Sequence, residues 1–235
     1  MISFCISTYG DSKELKLTTE SIFKEIEKQN IKNAEIIIVN GKDKNIKPHI
    51  SSKIIKLYNI PDKNLYTGMN NCINFAKNEY VWFINSGDVL IQNSLTSIKN
   101  CLTESNYDLI FLNVLYPNNV IGKFKRKDMV FSHQGVIYRK FLHDKFGFYI
   151  DSFNMTASDF NFFYLISKSI DFNYVYHNKT CVKMSPNGLS SSLSHYIQRD
   201  FFIFLNDKEN VIKFIFRIAY TSFRYYIGFI KRYFE

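Results

Sequence analysis

PDKNLYTGMNNCINFAKNEYVWFINSGD, residues 61–88, is the stretch that decides the fold. Tyr80, Val81, Trp82, Phe83 and Ile84 form an apolar run of strand length, and Asn85-Ser86-Gly87-Asp88 breaks it with turn-forming residues. A carboxylate just past the C-terminal end of such a strand lies where open α/β sheets bind ligands. Asp88 is therefore the first candidate for the chemistry.

Working outward, strand and helix signals alternate. Ile2 to Ser7 reads as a buried strand, followed by a helix with Leu15, Thr19, Ile22 and Ile26 on one face. Glu35 to Val39 reads as a second strand and Lys53 to Leu57 as a weaker third. Thr67 to Ala76 reads as a short helix presenting Met69, Ile73 and Ala76, which leads into the strand before Asp88. Beyond it come a helix at Leu95 to Leu102, a strand at Leu109 to Leu115, and a hairpin through Pro117-Asn118-Asn119 to Val120–Phe124. Lys123, Lys125, Arg126 and Lys127 form a basic cluster, Ala157 to Ser169 a further helix, and Ser185-Pro186-Asn187-Gly188 a loop. This order predicts an α/β fold with a mixed, mostly parallel sheet and helices on both faces.

Composition sets the bounds. A chain of 235 residues, 46% hydrophobic and 22% charged, can bury one sizeable core with a short appendage. The N-terminus has neither a basic leader nor a long apolar run, and no stretch of about 18 apolar residues appears, so neither a secretory signal nor a spanning helix is expected. Cys5, Cys72, Cys101 and Cys181 lie far apart without a paired spacing, which predicts reduced thiols and a cytosolic setting. His49, His143, His177 and His195 show no zinc-ligand spacing. The net charge of +9 favours anionic partners.

The run Asp62-x-Asn64-Leu65-Tyr66-Thr67-Gly68-Met69-Asn70, followed by Asn85-Ser86-Gly87-Asp88, resembles the nucleotide-sugar region of family 2 glycosyltransferases with the GT-A fold, in their bacterial surface-polysaccharide branch. Thr8-Tyr9, Val39-Asn40-Gly41, His133-Gln134 and Ser158-Asp159 match in the same order, so the resemblance covers about residues 1–195. It implies a Rossmann-like GT-A domain over 1–195, with a nucleotide-sugar half at about 1–115 and an acceptor-side half at 116–195. Residues 196–235 would form a C-terminal helical tail.

The resemblance also implies roles. Asp88 matches the last acid of the metal-binding Asp-x-Asp and would hold Mn²⁺ or Mg²⁺ against the donor diphosphate, with Ser86 standing in place of the first acid. Asp159 would be the general base that takes the acceptor hydroxyl proton in an inverting transfer. Thr8, Tyr9, Asn40 and Asp62 would line the base and ribose pocket, with Asn70, Asn85 and Ser86 also on the donor side. His133 and Gln134 would face the acceptor. Asn187-Gly188-Leu189-Ser190 is similar to a loop that closes over the diphosphate. Asn40 and Thr67 stand where the family commonly has Asp.

Residues read without the resemblance leave blander roles open: Asp88 as a helix cap, Asp159 as a first-turn acid favoured by the helix dipole, His133 as a structural histidine. From Val211 to Phe234, Lys213, Arg217, Arg224 and Lys231 form a narrow basic stripe, while Ile212, Phe216, Ile218, Phe223, Ile227, Phe229 and Ile230 fill most of the rest. Such a helix suits a membrane interface, the catalytic domain or a second copy of the chain. The expected activity is transfer of a sugar from a UDP- or GDP-sugar to a saccharide acceptor, lipid-linked, at the inner face of the cytoplasmic membrane. Two alternatives are a GT-A domain that binds nucleotide without turnover, and a basic nucleic-acid-binding protein. The dispersed Lys and Arg, with no recognised binding motif, weigh against nucleic acid.

Overall fold

In a computed structural model of the chain, residues 1–10, 12–103, 107–125, 131–169, 172–186 and 192–234 are described, with side chains through 227. The elements run β1 (Ile2–Thr8), α1 (Lys13–Lys28), β2 (Ala34–Asn40), β3 (Ile55–Asn59), α2 (Leu65–Phe75), β4 (Tyr80–Phe83), β5 (Val89–Leu90), α3 (Ser94–Thr103), β6 (Leu109–Leu115) and β7 (Ile121–Gly122). A 3₁₀ turn at His133–Gly135 precedes β8 (Val136–Arg139), α4 (Leu142–Phe146), α5 (Ser158–Lys168), β9 (Tyr174–Lys183), α6 (Leu193–Asp207) and α7 (Val211–Phe234).

The strands form one sheet in the order β3-β2-β1-β4-β8-β6-β9-β5, with β7 on β6. β3, β2, β1 and β4 are mutually parallel, and β8 then inserts antiparallel between β4 and β6. The mostly parallel sheet expected from the alternating pattern is thus the observed one. Its alternating side chains build two cores. Phe4, Ile6, Ile36, Ile38 and Trp82 pack with Leu15 and Ile22 of α1 and Ile98 of α3 on one face. Cys5, Ile37, Val39, Val81 and Phe83 pack with Met69 and Ile73 of α2 and Phe162 and Phe163 of α5 on the other. A strand buried on both faces reads as an unbroken apolar run, as β2 and β4 do.

Several elements differ from expectation. The third strand lies at Ile55–Asn59, two residues later than read, because Asn59 joins the ladder to Asn40 and its carboxamide oxygen accepts from Asn40 Nδ2 at 2.9 Å. The hairpin pairs only Ile121 and Gly122 with β6. β5, β8, α4 and β9 gave no clear sequence signal: β5 is two residues long, and β9 is largely half-exposed with a mixed pattern. Arg126, Lys127 and Asn187 to Ser190 lie outside the described residues, as do the side chains of Phe229, Ile230 and Lys231.

The two halves of the sheet meet at Trp82. Its fully buried indole N–H donates to the Gln134 carbonyl at 2.7 Å, which anchors the 3₁₀ turn against β4. Trp82→Phe removes that donor, leaves the carbonyl unpaired and opens a small cavity; the expected loss is roughly 2–3 kcal/mol in urea-unfolding stability.

Candidate active site

The C-terminal ends of β1, β2 and β4 lie side by side, and the loops leaving β1 and β4 line a cavity of about 800 Å³. After β4 the chain turns through Asn85-Ser86-Gly87-Asp88, with Gly87 at φ +99°, a conformation that favours glycine. The loop is tied to α1 by Thr18, whose hydroxyl accepts the Gly87 N–H at 2.9 Å and donates to the Asp88 carbonyl at 2.7 Å. Asp88 is delivered to the cavity with a fixed backbone.

The Asp88 carboxylate is 3% exposed. Its Oδ1 accepts the Ser185 N–H, just beyond β9, at 2.7 Å, while Oδ2 is buried with no hydrogen-bond partner among the described residues. Burial pushes the carboxyl up to about 6, against the pull of the Ser185 N–H. An orphaned, buried, basic oxygen facing a cavity suits a cation. Among the described residues no group of three or more His, Cys, Asp or Glu side chains is placed to hold a metal, so Asp88 would bind one only together with ligand oxygens.

The opposite wall carries Asp159, in the first turn of α5. Its Oδ1 accepts the Tyr66 phenol proton at 2.7 Å, and its Oδ2 lies 3.7 Å from His133 Nδ1. Tyr66 stands in the first turn of α2, where the Asn64 side chain caps the Tyr66 and Thr67 N–H groups at 2.9 and 3.1 Å. Burial, together with Asp159, pushes the Tyr66 phenol far up, so it remains a donor. Burial lowers His133, with Asp159 opposing, which favours the neutral imidazole at pH 7.

Thr8, Tyr9, Asn85, Ser86, Asp88, His133, Gln134 and Asp159 all line this cavity. Tyr9 is 72% exposed at its mouth. Asn40, Asp62 and Asn70 stand behind it. The Asn40 Oδ1 accepts the Gly10 and Lys42 N–H groups at 2.8 and 3.1 Å, and its Nδ2 donates to the Lys44 carbonyl at 3.0 Å and to Asn59. It therefore shapes the loops after β1 and β2. Asp62 fits between Gly41 and Gly68, where an added Cβ would come within 2.0 and 2.7 Å of its Oδ2, and burial raises it to about 6. The Asn70 carboxamide exchanges two hydrogen bonds with the Tyr149 backbone, at 2.9 and 3.0 Å, which fixes it to the segment after α4.

Sequence reasoning passed over Tyr66, Tyr149 and Arg199. Tyr66 sits inside the decisive stretch, and an aromatic one turn into a capped helix at a strand edge was its available signal. Arg199, on α6, lines the cavity with its guanidinium 4.6 Å over the Phe160 ring and its Nε buried without a hydrogen-bond partner among the described residues. Burial lowers its pKa, the mark of a desolvated cation suited to an anionic group.

A sequence profile described as Glycosyl transferase family 2 matches residues 3–166. No curated protein matched the chain. Among solved structures, S. aureus TarS 1-349 is similar with a TM-score of 0.64 at 15% identity, over 95% of this chain and 72% of that one. The same protein in complex with UDP-GlcNAc gives 0.64 at 14%, over 94% and 71%. The mannosyltransferase PcManGT from Pyrobaculum calidifontis, in complex with GDP-Man and Mn²⁺, gives 0.63 at 8%, over 89% and 64%. At such identities the likeness speaks for the fold.

The Asp88 environment predicts a pH signature. Its folded pKa lies above the ordinary value of 3.8, so the folded state holds the proton more tightly and stability falls as pH rises from about 4 through about 6. Asp88→Asn keeps the acceptor for Ser185 and removes the buried charge. The ligand-free variant should be more stable than the parent by about 1–3 kcal/mol at pH 8, with the difference vanishing near pH 4, in denaturant titrations at both pH values.

Proposed function

Because the chain belongs to glycosyl transferase family 2, we propose that it transfers a sugar from a UDP- or GDP-sugar to a saccharide hydroxyl, with inversion at the anomeric carbon. The observation that carries this reading is the pair of carboxylates on opposite walls of one cavity. Asp88 is desolvated and orphaned at the strand ends, and Asp159 is held by Tyr66 at the start of α5. Solved relatives of the same fold hold UDP-GlcNAc, or GDP-Man with Mn²⁺, which supports a nucleotide-sugar donor here.

In this reading Thr8 and Tyr9 hold the base and ribose near the end of β1, with Asp62 packed behind them between Gly41 and Gly68. Asn85, Ser86 and Asp88 face the diphosphate, and Asp88 with the diphosphate oxygens would hold Mn²⁺ or Mg²⁺. The bound cation would supply neutralisation of charge on the leaving diphosphate. Arg199 supplies a second, fixed positive charge to the cavity, worth most where water is excluded. Asp159 accepts the proton of the attacking hydroxyl, and the Tyr66 hydrogen bond to Oδ1 leaves Oδ2 for that task. His133 stands beside it on the acceptor side, while the Gln134 side chain bears on Asp88.

Calorimetry with UDP, GDP and their sugars, with and without Mn²⁺, tests the donor site before any acceptor is known. Binding of one nucleotide that strengthens with Mn²⁺ and is lost in Asp88→Asn is expected. With a competent donor and acceptor, Asp159→Asn should lower nucleoside diphosphate release by about 10²–10⁴-fold. Unchanged turnover would remove Asp159 from the base role.

The acceptor side includes an interfacial element. α7 packs on α6 through a mixed side, where Phe214 stacks on Phe204, Tyr225 meets Tyr196 and the Thr221 hydroxyl donates to Asp200, while Arg217 pairs with Glu209 of the connecting turn. The opposite side presents Ile212, Ile215, Phe216, Tyr220, Phe223 and Tyr226, all exposed, with Lys213 and Arg224 along one edge. Of the basic stripe read along this helix, Lys213 and Arg224 are exposed, whereas Arg217 is half-buried against Glu209. No described helix is long and apolar enough to cross a membrane. An outward apolar face with a basic edge suits an anionic lipid surface, and a lipid-linked acceptor would be met there. Co-sedimentation with vesicles containing phosphatidylglycerol should retain the parent chain, and Phe216→Glu/Phe223→Glu should release it without altering donor affinity.

A further inference from the structure

We infer that His133 acts through Asp159, as a positioning residue that shares the proton Asp159 takes from the acceptor hydroxyl. This deepens, and rests on, the transferase reading above. The observation behind it is a chain of buried hydrogen bonds whose direction is set at its far end. His143 Nδ1 lies 3.1 Å from the Gly147 carbonyl, which can only accept, so Nδ1 bears the proton. Burial lowers His143 to about 4, so at neutral pH its Nε2 is a bare acceptor.

The rest of the chain follows link by link. Tyr138 must donate to His143 Nε2, at 3.0 Å, and so can only accept from Tyr149, at 2.8 Å. Tyr149, its proton committed, can only accept from His133 Nε2, at 3.3 Å. Neutral His133 is thereby held as the Nε2–H tautomer, and its bare Nδ1 is turned to Asp159 Oδ2 at 3.7 Å. Two lone pairs face each other with no proton between them. Tyr149 cannot drift, because Asn70 clamps its backbone from both sides. Among the described residues the other rings in contact with His133 are those of Phe83 and Phe163, both uncharged, and Asp159 is the charged group beside it.

During transfer, the acceptor oxygen bonds to the anomeric carbon as the bond from that carbon to the diphosphate oxygen breaks, its electron pair leaving with the diphosphate. The hydroxyl proton passes to Asp159 Oδ2. His133 Nδ1 is the ready partner for it: closing the gap by roughly 1 Å gives a charge-assisted hydrogen bond in which either atom holds the proton. As imidazolium, His133 would donate to Asp159 through Nδ1 and still to Tyr149 through Nε2, so no other bond in the chain reverses. The proton returns to water when the products leave.

The test is ¹⁵N NMR of the full chain at pH 7.5, with His133→Gln identifying the resonances, alongside steady-state kinetics of Tyr149→Phe. In the parent, His133 should carry its proton on Nε2 with Nδ1 bare. Tyr149→Phe removes the acceptor for Nε2–H; the Nδ1–H tautomer should then appear, with kcat lower by about 10–100-fold and donor affinity unchanged, which also reports an intact fold. A parent His133 protonated on Nδ1, or Tyr149→Phe with unaltered tautomer or kcat, overturns the inference. A parent that turns over no donor overturns the transferase reading and the proton-sharing role with it. The tautomer, read without substrate, tells these failures apart.

Discussion

The Trp82 indole hydrogen bond to the Gln134 carbonyl pins the turn that opens β8 against β4, alongside the strand pairing that joins the two. β4 belongs to the parallel half of the sheet, and β8, which leaves the His133–Gly135 turn, runs against it. Because the bond is buried and donor-specific, the turn is held at one height along β4, and His133 is placed beside Phe83. From there the geometry propagates: His133 faces α5 and Asp159, while β4 runs on into the loop that carries Asp88. The separation of the two carboxylates across one cavity is thus set by a strand, a turn and a single indole N–H.

The two carboxylates are prepared in opposite ways. Asp88 is deprived of water and given one backbone donor, which leaves one oxygen basic and unsatisfied. Asp159 keeps some contact with solvent and is steadied by a phenol and faced by an imidazole. Placing like charges in unlike surroundings is how one cavity separates the binding of an anionic leaving group from the removal of a proton.

Much of this was legible along the chain wherever the signal is local. β1, β2 and β4 are unbroken apolar runs, and the residues that end them, Thr8, Asn85, Ser86 and Asp88, reach the cavity because strand ends in a parallel sheet share one edge. The family resemblance located Asp159 and His133. What stayed hidden depends on distant pairing. β8 is a short strand whose place is set by its pairing with β4 and β6, and nothing within Val136–Arg139 says so. Asn40 and Asn70 read as ligand-binding amides, yet protein partners occupy both ends of Asn40 and Asn70 is tied to the Tyr149 backbone, and a sequence does not show which partners arrive first. The Tyr149–Tyr138–His143 chain joins residues from the loop after α4, from β8 and from α4, each of which reads alone as a core aromatic.

The packing of α7 on α6 has a consequence of its own. The inner side combines the Thr221 hydrogen bond to Asp200 with aromatic contacts of Phe214 to Phe204 and Phe201 and of Tyr225 to Tyr196, and Arg217 pairs with Glu209 at the bend. The outer side is aliphatic and aromatic. Charge attraction weakens as ions accumulate, whereas the aversion of apolar surface to water does not weaken and, with strongly hydrated salts, grows. Ionic strength therefore leaves the seat of this helix on its own domain, aromatic and hydrogen-bonded, largely in place while sharpening the appetite of its outer side for an external surface.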